Sequence, residues 1–143
     1  MRVRTWPSGS AFDYEYDFMI INTELLDNLT VQAKACPRLR QNYDLRDKPE
    51  DGSQRMLNAM ELGTILPIHR HRRSSETVVI LRGKGRWTYF DDKGNMTESI
   101  VLDADGEMRA LSVPKGQWHT RSRGSTVFIA FSFMNDDIVM YND

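Results

Sequence analysis

The chain has 143 residues, with 19 basic and 20 acidic side chains, a length that corresponds to one domain and excludes a multidomain enzyme. The net charge of −1 excludes a general electrostatic attraction to nucleic acid or to anionic membranes. Apolar residues make up 40% of the chain and charged residues 27%, a balance typical of a folded protein rather than a disordered one.

The cellular compartment can be predicted from the number of cysteines and from the lengths of the apolar segments. The single cysteine, Cys36, excludes an intramolecular disulfide, and residues 1–17 lack the apolar core of a signal peptide. The apolar runs at 18–21, 78–81 and 127–131 are much shorter than the ~20 residues that a membrane helix needs. We therefore expect a cytoplasmic protein with no membrane span and no nucleic-acid partner.

One helix is predicted near the start of the chain. Residues 1–17 show no hydrophobic period and are expected to form an extended arm, followed by a single domain over 18–143. Apolar residues recur at helical spacing from Leu25 to Ala33, which predicts an amphipathic helix over about 23–35.

The remainder of the chain has the pattern of a β protein. The polar stretch 37–52 is expected to be a loop, and from Gln54 onward short apolar or alternating runs are separated by turn residues, as in β-sandwiches and barrels. The predicted strands cover about 54–61, 64–71, 76–82, 85–90, 97–103, 107–113, 117–122 and 126–134. Because the run at 78–81 is apolar on both faces, it needs cover from another element or a partner subunit, and we expect a homodimer.

All three histidines lie in the β region. His69 and His71 are two residues apart, so in a strand both imidazoles lie on the same face. Glu76 follows a short turn, and a strand that returns after the turn at 114–116 brings His119 to the same place. Three nitrogens and one carboxylate suit a divalent transition metal with open coordination positions. We therefore predict one divalent ion per chain, Fe, Mn, Zn, Ni or Co, bound by His69, His71, Glu76 and His119.

These residues stand in a recognisable sequence context. The segment GTILPIHRHRRSSETVVILRG at 63–83 resembles the first motif of the cupin superfamily at every defining position. The segment from Gly106 to His119 keeps the Pro-Gly-His core of the second cupin motif, with a longer spacer after Gly106 and with Arg123 in place of the usual asparagine. The resemblance implies a mainly β, cupin-type double-stranded β-helix, or jelly-roll barrel, with an N-terminal α-helix and a metal site.

Within the cupins, residues 19–133 resemble the WbuC family of cupin-fold metalloproteins. The resemblance rests on ACPRLRQN at 35–42, QRMLNAMELG at 54–63 and the first cupin motif. Arg46 stands where members of that family often have a histidine. The resemblance implies a place in bacterial surface-polysaccharide biosynthesis, with a sugar or a nucleotide sugar as ligand, but a shared fold does not name a reaction.

Three further side chains are candidates for contacting a bound molecule. Arg121 lies two residues after His119, so strand alternation points it into the same interior, where a cation favours an anionic ligand. Asn58, on the strand before the first motif, is a candidate pocket residue, and Tyr89 is a candidate base. The alternative roles are a buried ion pair for Arg121 and a structural hydrogen bond for Asn58.

The leading prediction is a metal-dependent cupin that acts on an anionic small molecule by Lewis-acid chemistry, with isomerisation as a fitting reaction. The metal-free sugar epimerases of the cupin superfamily are excluded, because no histidine is left to act as their base once three bind metal. An Fe(II)-dependent dioxygenase is one alternative. A non-catalytic module that binds a ligand through its metal is another, so the sequence leaves open whether the protein is an enzyme.

Overall fold

The computed structural model describes residues 19–46, 48–64, 66–123, 128–134 and 138–141, so the expected arm at 1–17 lies outside the described residues. Helix α1 spans Thr23–Ala35. The side-chain oxygen of Asn22 accepts a hydrogen bond from the backbone N–H of Leu25 at 3.0 Å and caps the first turn. Among the described residues, no helix is long and apolar enough to cross a membrane.

The strands form two five-stranded antiparallel sheets, with the orders β1-β2-β9-β4-β7 and β10-β3-β8-β5-β6. Within the described ranges the strands are β1 Arg40–Asp44, β2 Gln54–Met60, β3 His69–His71, β4 Glu76–Arg82, β5 Lys84–Phe90, β6 Met96–Asp103, β7 Ala110–Val113, β8 Trp118–Arg123, β9 Phe128–Met134 and β10 Ile138–Met140. The predicted class, mainly β with an N-terminal α-helix, is confirmed.

The apolar residues form two cores on opposite faces of the first sheet. Trp87 and Phe128 lie between the two sheets, fully buried, with their ring centroids 5.6 Å apart. Outside the first sheet, Leu29 of α1 packs with Leu57 and Ile129 in a second core. Because β2 and β9 are apolar on both faces, the sheet needs a cover, and the amphipathic helix supplies it.

Among the described residues, the doubly apolar run at 78–81 is only partly covered. Val78 and Ile80 are buried between the sheets, while Leu81 packs against the core under α1. On the same outer face, Phe133 of β9 lies opposite Thr77 and keeps 43% of its surface exposed. The helix therefore covers one part of the outer face of the sheet and leaves the aromatic ring of Phe133 partly exposed beside it.

Two predictions about strand positions were wrong. The stretch 37–52, expected to be a loop, contains β1, which pairs with β2 from Arg40 opposite Met60 to Asp44 opposite Met56. An edge strand is covered on one side only, so polar residues are tolerated and the apolar signal is absent. The strand predicted over 64–71 begins only at His69. Strand β10 was not predicted at all.

Gly85 allows the two large rings of the inner core to pack closely against the backbone of β5. A Cβ atom at this position would lie 2.7 Å from Cζ3 of Trp87 and 3.1 Å from the ring of Phe128. Gly85→Ala is therefore expected to destabilise the protein by about 1–3 kcal/mol through overpacking, measured by urea unfolding. Gly52→Ala, where a Cβ meets no atom within 4 Å, is the control. Equal midpoints for both variants would contradict the prediction.

Candidate metal centre

Four side chains from three strands meet inside the barrel near one end. His69 and His71 lie on β3, His119 lies on β8 directly opposite His69, and Glu76 is the first residue of β4. The ligand atoms of the three histidines all lie within 4.8 Å of one another. The expected convergence of these histidines is therefore present.

Glu76 faces two of the three rings. Its Oε2 lies 3.6 Å from Nε2 of His71, and its Oε1 lies 3.5 Å from Nε2 of His119. These distances are too long for good hydrogen bonds. They suit atoms that share a central ion, because metal–ligand bonds of about 2.0–2.2 Å separate neighbouring ligand atoms by roughly 3–3.5 Å.

The outer ring nitrogens orient the imidazoles. Nδ1 of His69 lies 3.1 Å from the carbonyl oxygen of Pro67, and Nδ1 of His119 lies 2.9 Å from that of Gln117. A carbonyl oxygen can only accept, so each Nδ1 donates, and in the neutral form of the ring Nε2 then carries the lone pair. Such an outer hydrogen bond is the usual support of a metal-binding histidine.

The inner ring nitrogens have no hydrogen-bond partner in the part of the chain that the structure describes. Nε2 of His119 and both ring nitrogens of His71 are buried and form no hydrogen bond with any described residue. Buried polar atoms without partners are costly and uncommon. Lone pairs converging beside the Glu76 carboxylate therefore fit a divalent cation, which would satisfy these atoms together.

The charge states at neutral pH also suit a cation. Burial, followed by the neighbouring His119, lowers the pKa of His69 to about 4, so this imidazole is neutral at pH 7, the form that binds metal. Burial opposes ionisation of Glu76, but contacts with His119 and His71 and the field of Arg121 outweigh it and hold the pKa of Glu76 well below its usual range. Glu76 is thus ionised at neutral pH before any ion enters.

A cluster on the opposite face of the second sheet holds the ligand strands in place. The guanidinium of Arg70 lies 4.3 Å from the ring centroid of Trp118, the residue before His119. The indole N–H of Trp118 donates to Oδ1 of Asp92 at 3.0 Å, and the Tyr141 ring packs edge-on against the indole at 5.1 Å. These contacts join β3, β8 and the turn after β5 directly behind the histidines.

The three candidate substrate residues lie on inner-face positions of the strands. Arg121 forms no salt bridge with any carboxylate in the described part of the chain, and its Nη1 donates only a long hydrogen bond, 3.5 Å, to Oγ of Ser132. The side-chain amide of Asn58 donates to the same oxygen at 3.3 Å. Tyr89 lies opposite His119 on β5, and burial raises the pKa of its phenol.

Ser132 is a site residue that the sequence prediction missed. It is fully buried on β9, although it is the one polar side chain in the segment FIAFSFM at 128–134. A single hydroxyl at an inward position of an otherwise apolar strand was the available signal. Its distance of 11 residues from Arg121 along the chain gave no local hint of their contact.

The solved structures that resemble the chain are cupin-fold proteins. The capsular polysaccharide assembling protein CapF from Staphylococcus aureus is 17% identical, with a TM-score of 0.60 over 76% of this chain and 33% of CapF. A variant of oxalate decarboxylase from Bacillus subtilis is 21% identical, with a TM-score of 0.55 over 72% of this chain and 28% of the decarboxylase. An oxalate oxidase is 19% identical, with a TM-score of 0.56 over 75% of this chain and 57% of the oxidase.

These likenesses confirm the predicted cupin-type jelly-roll fold. The chain spans 33% of the length of CapF and 28% of the length of the decarboxylase. Their activities are therefore not transferred with the fold. None of the curated proteins compared with the chain matches it. A family model described as "Domain of unknown function (DUF6016)" matches residues 21–102, more than half of the chain. The chain is therefore a cupin-fold member of the DUF6016 family.

Proposed function

We propose that the protein is a divalent-metal-binding cupin that acts on an anionic small molecule. The observation that carries this proposal is the set of buried, unpartnered ring nitrogens of His71 and His119 facing the Glu76 carboxylate. A divalent ion bound there would supply Lewis-acid polarisation of a substrate oxygen. Three imidazoles and one carboxylate leave coordination positions open for that oxygen.

The exposure of the four side chains indicates how a small molecule reaches the site. His71, Glu76 and His119 are buried, whereas His69 is partly exposed. A ligand therefore approaches from the side of His69. Arg121 is also partly exposed and lies on the same inner face as His119, so the approaching molecule meets a cation beside the metal ligands.

The nature of the molecule is proposed from resemblance. A sugar or nucleotide sugar of bacterial surface-polysaccharide biosynthesis is supported by the WbuC-like segments of the sequence and by a structural neighbour named for capsular polysaccharide assembly. Neighbours named for oxalate support an acidic ligand. All these likenesses lie below 25% identity, so they support the proposal only at the level of fold.

One experiment tests the proposal against its alternatives. Protein purified without added metal is analysed for its elements and then incubated with anionic sugars, sugar phosphates and keto acids while products and dissolved oxygen are followed. The proposal expects about one divalent ion per chain and product formation without oxygen consumption. Oxygen consumption with incorporation of its atoms into the product would identify a dioxygenase, and binding without product would favour a ligand-binding module. Absence of bound metal, also after incubation with divalent ions, would overturn the proposal.

We also propose that the chain forms a homodimer. The support is the apolar surface left exposed among the described residues on the outer face of the first sheet and just before the helix, where Phe133 is 43% and Ile20 is 51% exposed. Light scattering at micromolar concentration is expected to give twice the chain mass of 16.6 kDa. A mass of one chain at every concentration tested would contradict the proposal.

A further inference from the structure

We propose that Arg121, Ser132 and Asn58 form a second binding point, which holds a carboxylate of a ligand whose other acidic group binds the metal. The inference rests on the proposed function, since it requires a metal at the histidine site. It goes further because it names the ligand class: small acids with two anionic groups, in preference to neutral sugars and to acids with a single charge.

The first argument is the balance of donors and acceptors in the cluster. Oγ of Ser132 accepts hydrogen bonds from both Arg121 and Asn58, so its own hydrogen is left to donate elsewhere. Nε of Arg121 is buried and has no partner among the described residues. The cluster therefore presents unused donors, and an oxyanion is the acceptor that satisfies them best.

The second argument is the position of the cluster. Arg121 follows His119 by two residues in β8, which places their Cα atoms roughly 7 Å apart on one face of the strand. Ser132 and Asn58 are buried, at 0% and 2% exposure, whereas Arg121 is partly exposed. Arg121 thus lies on the same inner face as His119 and contacts a buried polar pair, a position from which a small molecule bound to it can also reach the metal.

The third argument is the charge inside the barrel. A divalent ion with Glu76 as its only acidic ligand retains one positive charge. Arg121 adds another, because no described carboxylate forms a salt bridge with it. The interior therefore gains most from a ligand that brings two negative charges.

The fourth argument is the shape of the guanidinium. Its Nε and Nη atoms form a planar edge that matches the two oxygens of a carboxylate. Nε, which forms such an edge with Nη2, is unused, and Nη1 on the other side of the guanidinium is engaged only at 3.5 Å. A carboxylate therefore pairs with this edge without breaking a short hydrogen bond of the protein.

Isothermal titration of the nickel-loaded protein tests the inference with a matched series: acetate, oxalate, malonate, succinate, glutarate and inorganic phosphate. At least one dicarboxylate is expected to bind about ten-fold or more tightly than acetate. Arg121→Gln is expected to weaken binding of that dicarboxylate by about 10- to 100-fold. The affinity for acetate and the metal stoichiometry should stay unchanged. Ser132→Ala is expected to weaken it by a smaller factor.

The control variant is Arg86→Gln, which removes an arginine from the outer side of the same sheet, where it donates to Ser99 at 2.8 Å. It should bind the whole series like the original protein. Arg121→Lys, which keeps the charge but not the planar edge, is the second test and is expected to lose less affinity than Arg121→Gln. Circular dichroism shows whether each variant is folded.

The outcomes separate the two proposals. One equivalent of nickel with equal dicarboxylate affinity in the original protein and both Arg121 variants would overturn the inference and leave the proposed function standing. A series in which phosphate or acetate binds as well as every dicarboxylate would also overturn it. Failure of the original protein to bind nickel or any other divalent ion would overturn the proposed function itself.

Discussion

Replacing His71 with alanine is expected to reduce binding of a divalent metal from about one equivalent per chain to none at micromolar protein. His71 is 2% exposed, and neither of its ring nitrogens forms a hydrogen bond with a described residue. Its nitrogens are therefore free to bind an ion without breaking a hydrogen bond of the protein. Its loss removes one of the four proposed ligands, so the affinity for the ion should fall below the level at which micromolar protein retains it. Equilibrium dialysis followed by elemental analysis measures the change.

The matched control for His71→Ala is Ser122→Ala. Ser122 lies on β8 with the ligand His119, but strand alternation turns its side chain to the opposite face. This variant should keep one equivalent of metal. If His71→Ala also keeps one equivalent with unchanged affinity, the ion is bound elsewhere and the proposed ligand set is wrong.

The second large effect is expected at Leu29. Its side chain is fully buried between α1 and the first sheet, in the core formed with Leu57 and Ile129. Leu29→Ala removes this contact and leaves a cavity, so the free energy of unfolding should fall by about 2–5 kcal/mol. Urea unfolding of the metal-free protein measures the loss without a contribution from bound ions.

The matched control is Val31→Ala in the same helix. Val31 is 65% exposed, so its truncation removes little buried surface and should change the free energy of unfolding by less than about 0.5 kcal/mol. Equal losses for the two variants would mean that α1 is not anchored through its apolar stripe. A negligible loss for Leu29→Ala would mean that the helix does not cover the sheet in solution.

The features predicted correctly from the sequence are those that depend on short spacings. The stripe from Leu25 to Ala33 predicted α1, and the two-residue spacing of His69 and His71 placed both rings on one face of β3. These patterns repeat within a few residues, so the local backbone alone determines which side chains share a face. Glu76 and His119 were predicted from the turns that precede them, and the family resemblance gave further support.

The features that were missed depend on contacts between distant segments. Strand β1 consists of polar residues, and its partner β2 decides that it is extended. The packing of Arg70 on Trp118 joins β3 to β8, 48 residues later along the chain. Strand alternation placed Arg121 on the inner face but could not name Ser132 as its partner. Tertiary structure, rather than local propensity, determines each of these features.

The shortness of β3 has a consequence for how the protein responds to metal supply. This strand has three residues, and its registered pairing with β8 is the single pair of His69 and His119. His69 and His119 are 50 residues apart along the sequence, so only the folded chain holds them together. The unfolded chain would therefore bind an ion far more weakly than the folded chain. A metal present at 100 times its dissociation constant therefore adds about 2.7 kcal/mol to the stability by mass action. The melting temperature of the protein should accordingly rise with the free concentration of its metal, so that the folded fraction near that temperature reports how much of the ion is available.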